Sequence, residues 1–255
     1  MSEDHAMEIQ SGVPATGSRL FAQVAKSRDE VREAQSLRYL VFGQEGNARL
    51  AGAASGLDCD RYDEHCRHLL VRDRDSHEVV GTYRLLDSAN ARAAGGFYCE
   101  SEFDMRRLRH LAPWTVEIGR ACVHPAYRGG TAIAVLWGAL MRHILLHGYQ
   151  FVLGCASIQT HEGGDVAASI CRQLLSRHAA PDEWRVRPHR AFVLEGWADL
   201  PDVQIPGLIK GYVHLGAKVC GEPAWDTDFK TADLLMMLSV PEVNRRYVER
   251  LLRSA

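Results

Sequence analysis

The feature that most constrains this chain is a short apolar strand that leads, through a glycine-containing turn, into a long apolar helix. Proline residues at 113 and 125 bound the strand, Thr115–Val123, and the helix is expected over 130–147. Such a turn leaves backbone N–H groups and the positive end of the helix free to bind an anion such as phosphate. An ordinary strand-to-helix turn has the same pattern. The expected phosphate-binding residues are Arg128, Gly129, Gly130 and Thr131.

Two charged residues, Glu117 and Arg120, interrupt this apolar strand. If the strand alternates regularly, Glu117, Ala121 and Val123 face one side of the sheet, and Arg120 faces the other. A buried carboxylate is unfavourable unless it is paired or functional. Glu117 is therefore either the partner of an arginine such as Arg84 or a general base that accepts a proton from an attacking ammonium.

The amino-acid composition and charge of the chain argue against several classes of function. A formal net charge of -2 over 255 residues gives no support for nucleic-acid binding. The seven cysteines are scattered without a CxxC pair, which argues against a disulfide framework or a zinc site, so we expect reduced, structural cysteines and no metal. The acidic N-terminus does not resemble a signal peptide. The most apolar stretch, 131–146, is interrupted by Arg142 and His143 and is too short to span a bilayer.

The order of predicted elements indicates an α/β (α+β) fold, a mixed and mostly antiparallel sheet with helices on both faces. We predict helices over 27–42, 102–111, 130–147, 165–178 and 242–252, and strands over 68–72, 79–86, 115–123 and 150–157. Loops are expected over 43–56 and 90–96. The predicted organisation is a mobile tail (1–18), an acyltransferase core (19–180) and a C-terminal extension packed on the same domain (181–255).

The segment around Glu117 and Arg128 resembles the GNAT superfamily, in which the strand before the phosphate loop splays from its neighbour and the loop binds the pyrophosphate of the donor. The GNAT pattern would require glycine at Thr131 and glycine or alanine at Ile133. This departure favours acyl carrier protein as the donor, because its phosphopantetheine arm carries a single phosphate. The resemblance implies no permanently bound cofactor. It also implies that backbone N–H groups around Ala121 and Val123 stabilise the oxyanion.

The N-terminal half is similar to the acyl-homoserine-lactone synthases, a branch of the same fold. Seven residues match motif positions of that family: Arg38, Phe42, Asp60, Asp63, Arg84, Glu117 and Arg120. The tryptophan that this family carries after its first helix has no counterpart in 43–56, which argues against lactone synthesis itself.

The C-terminal half is similar to the bacterial L-ornithine Nα-acyltransferases, which also carry the description hemolysin-like. The similarity covers about residues 25–250 and is most specific from Lys210-Gly211-Tyr212 to the run Gly221-Glu222-Pro223-Ala224-Trp225-Asp226. It implies transfer of a (3-hydroxy)acyl group from acyl carrier protein to the α-amine of L-ornithine, which gives lyso-ornithine lipid. The segment 158–165 matches this family poorly.

Ornithine carries two amines and a carboxylate, so its site needs a carboxylate for the side-chain ammonium and an arginine, Arg38 or Arg84, for the carboxylate. The acidic residues in the C-terminal half are explained equally well as residues that stabilise turns and cap helices. The expected substrate-binding residues are Arg38, Phe42, Asp60, Asp63, Arg84, Glu102, Glu222, Asp226 and Asp233, and the expected catalytic residues are Glu117, Arg120, Ala121 and Val123.

Two surface features leave alternatives open. The basic cluster Arg106, Arg107, Arg109 and His110 is either a docking surface for an acidic carrier protein or an ordinary solvated face. The closing helix either contacts the inner membrane or packs on the core. We expect a cytoplasmic enzyme, with peripheral membrane contact as one option. The competing functions are an N-acyl amino-acid or acyl-homoserine-lactone-like signal synthase that uses another amine, and a non-catalytic membrane-associated protein.

Overall fold

One mixed sheet forms the centre of the protein, whose computed structural model describes residues 19–160 and 163–253. Its strands across the sheet follow the order β1-β2-β3-β4-β5-β8-β6, with β7 also paired to β8. Only β4 and β5 run parallel, and the other neighbours are antiparallel. The strands are β1 Leu20–Val24, β2 Arg67–Asp73, β3 Val79–Asp87, β4 Thr115–Val123, β5 Phe151–Gln159, β6 Lys218–Val219, β7 Ala224–Asp226 and β8 Thr231–Ser239.

Helices cover both faces of this sheet. They are α1 Arg28–Arg38, α2 Ser88–Ala93, α3 Thr131–Leu146, α4 Gly164–His178, α5 Gly207–Leu215 and α6 Arg245–Leu252. We call the face covered by α3 to α6 the α3 face, and the face covered by α1 and the 3-10 segments Tyr98–Ser101 and Met105–Trp114 the α1 face. Within the described ranges, no helix has the length and apolar character needed to cross a bilayer.

The alternation of apolar residues explains the two cores. Along β8, Leu234, Met236 and Leu238 pack on the α3 face, whereas Leu235 and Met237 pack on the α1 face. The strand pairs with β5 along its whole length, from Phe151 opposite Ser239 to Gln159 opposite Thr231. The C-terminal segment therefore supplies an inner strand of the same sheet, which is why that strand is apolar on both sides.

The fold class and most predicted elements are confirmed, and the differences lie where tertiary contacts outweigh local pattern. The expected loop 90–96 overlaps α2, which begins because Asp87 accepts the N–H of Asn90 as a helix cap. Helix α1 ends at Arg38 and continues as the π-helical turn Tyr39–Glu45 into the expected loop 43–56. The expected tail 1–18 lies outside the described residues.

The closing helix α6 starts at Arg245, three residues later than predicted, after the 3-10 turn Val240–Glu242. Its apolar residues Val248 and Leu251 are buried in the core on the α3 face. Core packing therefore accounts for these two residues, and Val243, Tyr247 and Leu252 pack partly buried against the same core.

Burial of His143 on α3 generates a prediction about stability. Its ring stacks on His147, with 4.0 Å between the ring centroids, and neither of its nitrogens has a hydrogen-bond partner. Burial, reinforced by the neighbouring His147 and Arg67, lowers its pKa to about 4. Because the unfolded chain binds this proton at higher pH than the folded chain does, the free energy of unfolding should fall as the pH drops from about 6.5 towards 4.

In His143→Phe, the free energy of unfolding should fall by about 2 kcal/mol less over this pH range than in the wild type, since one pKa unit corresponds to about 1.4 kcal/mol. Urea unfolding at several pH values measures the slope. The control is His110→Gln at an exposed position, which should keep the wild-type slope. An unchanged slope in His143→Phe would contradict the prediction.

Candidate active site

Strands β4 and β5 separate soon after they begin, which opens the sheet. They pair only from Thr115 to Glu117 on β4, and the last pair is Glu117 with Leu153. Gly154 follows at the closest approach, where an added Cβ would lie 2.5 Å from the carbonyl oxygen of Ile118. Only glycine fits there without displacing the backbone. The splayed strand that the GNAT resemblance implies is thus present.

A bulge in β4 decides which residues face this opening. The β3–β4 register changes from Arg84 opposite Gly119 to Thr82 opposite Cys122, so β4 carries one extra residue. Arg120 occupies it with a φ of 51°, in the left-handed region. The predicted regular alternation is therefore wrong. The side chains of Glu117 and Arg120 both lie on the α1 face, whereas those of Ala121 and Val123 pack on the α3 face.

Arg120 belongs to a closed ring of three arginines and three aspartates, which we call the charge ring. Each arginine contacts two aspartates, and each aspartate contacts two arginines. The nitrogen–oxygen distances are 2.9 Å for Arg38–Asp58, 2.8 Å for Arg38–Asp63, 3.1 Å for Arg84–Asp63, 2.7 Å for Arg84–Asp60, 3.4 Å for Arg120–Asp60 and 3.2 Å for Arg120–Asp58. The ring joins α1, the segment 58–63, β3 and β4.

Two residues expected to contact substrate belong to the buried part of this ring. Arg38 is 0% exposed and Asp63 is 7% exposed, and neither lines the cavity described below. Burial opposes ionisation of Asp63, but the guanidiniums of Arg38 and Arg84 outweigh it and hold the pKa of that carboxyl well below its usual range. The structure thus places both residues within the ring, where each holds two ring partners. Asp58 was missed, although the spacing Asp58-x-Asp60-x-x-Asp63 was a visible signal.

A cavity of about 330 Å³ passes through the gap between β4 and β5 and joins the two faces of the sheet. Its α3 side is apolar, with Leu140, Met141 and Ile144 of α3 opposite Val152 and Leu238. Its α1 side is polar. Seven of the predicted site residues line it: Phe42, Arg84, Glu117, Arg120, Ala121, Asp226 and Asp233. Of the others, Asp60 belongs to the charge ring, Glu102 lies behind the wall, and Glu222 is exposed.

Glu117 faces the cavity and also organises its wall. Its two carboxylate oxygens accept the backbone N–H groups of Tyr98 and Cys99, at 2.6 and 2.8 Å. Burial raises its pKa, although these hydrogen bonds and the charge of Arg84 act in the opposite direction. The expected alternative, a direct ion pair with Arg84, does not describe the site, because Arg84 binds Asp60 and Asp63.

Aromatic rings enclose the Arg120 guanidinium. It lies 4.9 Å from the ring centroid of Tyr98 and 4.6 Å from that of Phe229, which contacts Phe42 edge to face. Such contacts stabilise a cation away from bulk water. Tyr98 and Phe229 were not predicted, because they reach Arg120 from segments distant in sequence.

One polar pair lies in the apolar half of the cavity. Tyr83 of β3, opposite the bulge, and Tyr212 of α5 hydrogen-bond through their hydroxyls, and both line the cavity. The ring of Trp137 stacks on Tyr212 with an interplanar angle of 9°. Burial raises the pKa of both tyrosines, so both hydroxyls stay protonated. Sequence patterns do not distinguish these tyrosines from core residues.

The predicted donor loop follows β4 at the open end of the gap. Gly130 precedes α3 with a φ of 100°, and Arg128 is exposed and forms an ion pair with Glu45, with one nitrogen–oxygen distance of 2.7 Å. The basic cluster Arg106 to His110 lies at the other end of β4, about 30 Å away for a nine-residue strand. This placement favours the solvated-face interpretation of that cluster.

Comparison with known proteins agrees with this geometry. Residues 37–138 match the family model described as an acetyltransferase (GNAT) domain. The L-ornithine N(alpha)-acyltransferase of Brucella abortus (strain 2308) is 33% identical over 247 residues, which cover 90% of this chain and 87% of that protein. The enzyme of the same name from Rhodobacter capsulatus is 35% identical over 246 residues, 89% of this chain and 92% of that protein. The chain belongs to the L-ornithine N(alpha)-acyltransferase family.

The predicted family and fold are therefore confirmed, and the protein is an acyltransferase. Among solved structures, the CoA-dependent acyl-homoserine lactone synthase BjaI superposes with a TM-score of 0.52 at 16% identity, over 91% of this chain and 87% of that one. At this identity the likeness shows a shared fold.

The charge ring yields a prediction about stability. Asp63→Asn removes the negative charge between Arg38 and Arg84, so we expect a loss of about 3–5 kcal/mol in the free energy of unfolding, as for other broken buried ion pairs. Chemical denaturation followed by circular dichroism measures it. The control, Asp182→Asn in the exposed pair with Arg185, should change stability by less than about 1 kcal/mol. Equal effects of the two substitutions would argue against the ring as a stabilising unit.

Proposed function

We propose that this protein transfers a (3-hydroxy)acyl group from the phosphopantetheine thioester of acyl carrier protein to the α-amine of L-ornithine, giving lyso-ornithine lipid. The names of the relatives support ornithine as the acceptor. The observation that carries the proposal is the cavity through the sheet, which has an apolar half on one face and a polar, acid-bearing half on the other. The two halves suit an acyl chain and a cationic amino acid, and they meet at the β4 bulge.

At this meeting point the chain offers the groups that aminolysis of a thioester requires. Glu117 accepts a proton from the α-ammonium, and the free amine then attacks the thioester carbonyl. A C–N bond forms, the C–S bond breaks, and the thiol leaves with a proton. Backbone N–H groups around Ala121 and Val123 stabilise the oxyanion. Arg84, which lines the cavity, is the better placed of the two arginines expected to bind the substrate carboxylate.

The polar pair Tyr83–Tyr212 supports a hydroxylated acyl chain. Both hydroxyls lie in an otherwise apolar half-cavity, and Tyr83 lies opposite the bulge where the carbonyl is expected. A hydroxyl close to the thioester on the acyl chain would reach them. Buried polar groups favour a ligand that completes their hydrogen bonds.

Two features of the open end support a carrier-protein donor. Arg128 shares its charge with Glu45, which leaves the loop suited to a single phosphate rather than a pyrophosphate. Arg49 and Lys230 add two exposed basic side chains: the N–H of Arg49 donates to the carbonyl of Asp228, and the carbonyl of Lys230 accepts the N–H of Thr160 after β5. A carrier protein is acidic, so we propose that it docks at this end.

An assay with purified protein tests the proposal. We expect acyl-ornithine to form faster from 3-hydroxyacyl carrier protein than from the unsubstituted acyl carrier protein of equal length or from the matching acyl-CoA, as measured by mass spectrometry. Lysine and tyrosine serve as competing acceptors. Absence of any acyl-amide would exclude acyl transfer to amines under these conditions, and preference for another amine would exclude ornithine as the principal acceptor.

The role of Glu117 is tested separately. Glu117→Gln retains a side chain that can accept a hydrogen bond but has no basic carboxylate, so kcat/KM at neutral pH should fall by about 100-fold or more. Circular dichroism checks the fold, and Glu249→Gln at an exposed position of α6 is the control. A wild-type rate in Glu117→Gln would remove Glu117 as the base.

A further inference from the structure

A cluster of two carboxyls and one thiol at the cavity wall has no role in the proposed reaction steps. Carboxylate oxygens of Glu102 and Asp233 and the sulfur of Cys155 all lie within 4.8 Å of one another. Asp233 lines the cavity from β8, is 3% exposed, and its Oδ1 has no hydrogen-bond partner. Both oxygens of Glu102, behind it, are also buried, and its carboxyl lies against that of Asp233. A buried carboxylate in this state is unfavourable unless a cation or donor binds it.

The described titratable groups that face Asp233 are acidic or neutral. Glu102 and Asp226 are the acids, Cys155 and Cys171 are thiols, the hydroxyls of Ser157 and Thr231 lie beside it, and Tyr98 hydrogen-bonds to Glu102. Burial raises the pKa of Tyr98 and of both thiols, which keeps them protonated at neutral pH. The surroundings therefore attract a cation.

The carboxyls of Glu102 and Asp233 differ in how strongly each holds a proton. Burial raises the pKa of both, and Asp233 and Asp226 raise that of Glu102 further. The hydroxyls and the protonated Glu102 act in the opposite direction on Asp233. The pKa of Glu102 is raised the more strongly of the two, which favours a proton on Glu102 and negative charge on Asp233 at the cavity wall.

We infer that Asp233, positioned by Glu102 behind it, binds the side-chain ammonium of a diamino acid whose α-amine is the nucleophile. The inference rests on the proposed function and deepens it. Cys155, on the same face of β5 as Leu153, separates the wall from Glu117, which pairs with Leu153. Asp233 and Glu117 both act electrostatically on the Cys155 thiol, so this side chain lies between the two carboxyls. The two nitrogens of ornithine, about 6 Å apart when extended, suit two acceptors on either side of one side chain.

Norvaline provides the sharpest comparison, because it has the carbon skeleton and α-amine of ornithine without the side-chain amine. We expect wild-type protein to prefer ornithine by about 30-fold or more in kcat/KM, the usual range for a hydrogen-bonded buried charge pair. Asp233→Asn should remove most of this preference by raising the KM for ornithine much more than the KM for norvaline. Asp228→Asn, an exposed acid of the same hairpin, is the control and should keep the preference.

The pH dependence separates this role from simple packing. Protonation of Asp233 abolishes its attraction for an ammonium, and its raised pKa brings that loss nearer to neutral pH. The ornithine-to-norvaline ratio should therefore fall as the pH is lowered from 8 to 5, while titration of the shared α-amine cancels in the ratio. Glu102→Gln should keep the wild-type profile, whereas Glu102→Leu should move the fall to higher pH.

Each failure has a distinct meaning. If no acyl-amide forms from either amino acid, the proposed function fails and this subsite fails with it. Equal use of ornithine and norvaline by wild-type protein would overturn the subsite alone. Unchanged preference in Asp233→Asn would also overturn it. Turnover that is lost on treatment with EDTA and restored by Zn²⁺ would assign the same three side chains to a metal ion and overturn the inference.

Discussion

The charge ring is the interaction on which the rest of the site depends. Removing six charges from water is strongly unfavourable, and the loss is offset only if every charge finds partners of the opposite sign. Here each aspartate contacts two arginines and each arginine two aspartates, so the ring is neutral and closed. The closure holds α1 and the segment 58–63 against β3 and β4, which form one wall of the cavity.

The ring also accounts for the bulge that divides the cavity. A non-glycine residue in the left-handed region is disfavoured by about 1–3 kcal/mol and persists only where its surroundings enforce it. Arg120 is held there by Asp58 and Asp60 on one side and by the rings of Tyr98 and Phe229 on the other. Because the extra residue reverses the alternation, Ala121 faces the apolar half of the cavity while Glu117 and Arg120 remain on the polar face.

Sequence patterns predicted the secondary-structure elements that depend on residues close together along the chain. The strand, turn and helix from Thr115 to Leu146 were predicted almost to the residue, since their periodicity and prolines are local signals. The resemblance identified five of the six ring residues, but not Asp58, which closes the ring. It also suggested substrate contact for Arg38, which is buried. The bulge at Arg120 and the cavity tyrosines were not found, because they depend on contacts between segments far apart in sequence.

Neutrality of the ring has a consequence for the acceptor. Three arginines close to the reaction centre would repel a diamino acid if their charges were unpaired, and long-range repulsion is poorly screened in a site shielded from water. The three aspartates remove that field, while Glu117 and Asp233 leave negative charge on the polar wall. The same pairing that fixes the backbone therefore leaves the polar half of the cavity with net negative character, which suits the cationic acceptor that we propose.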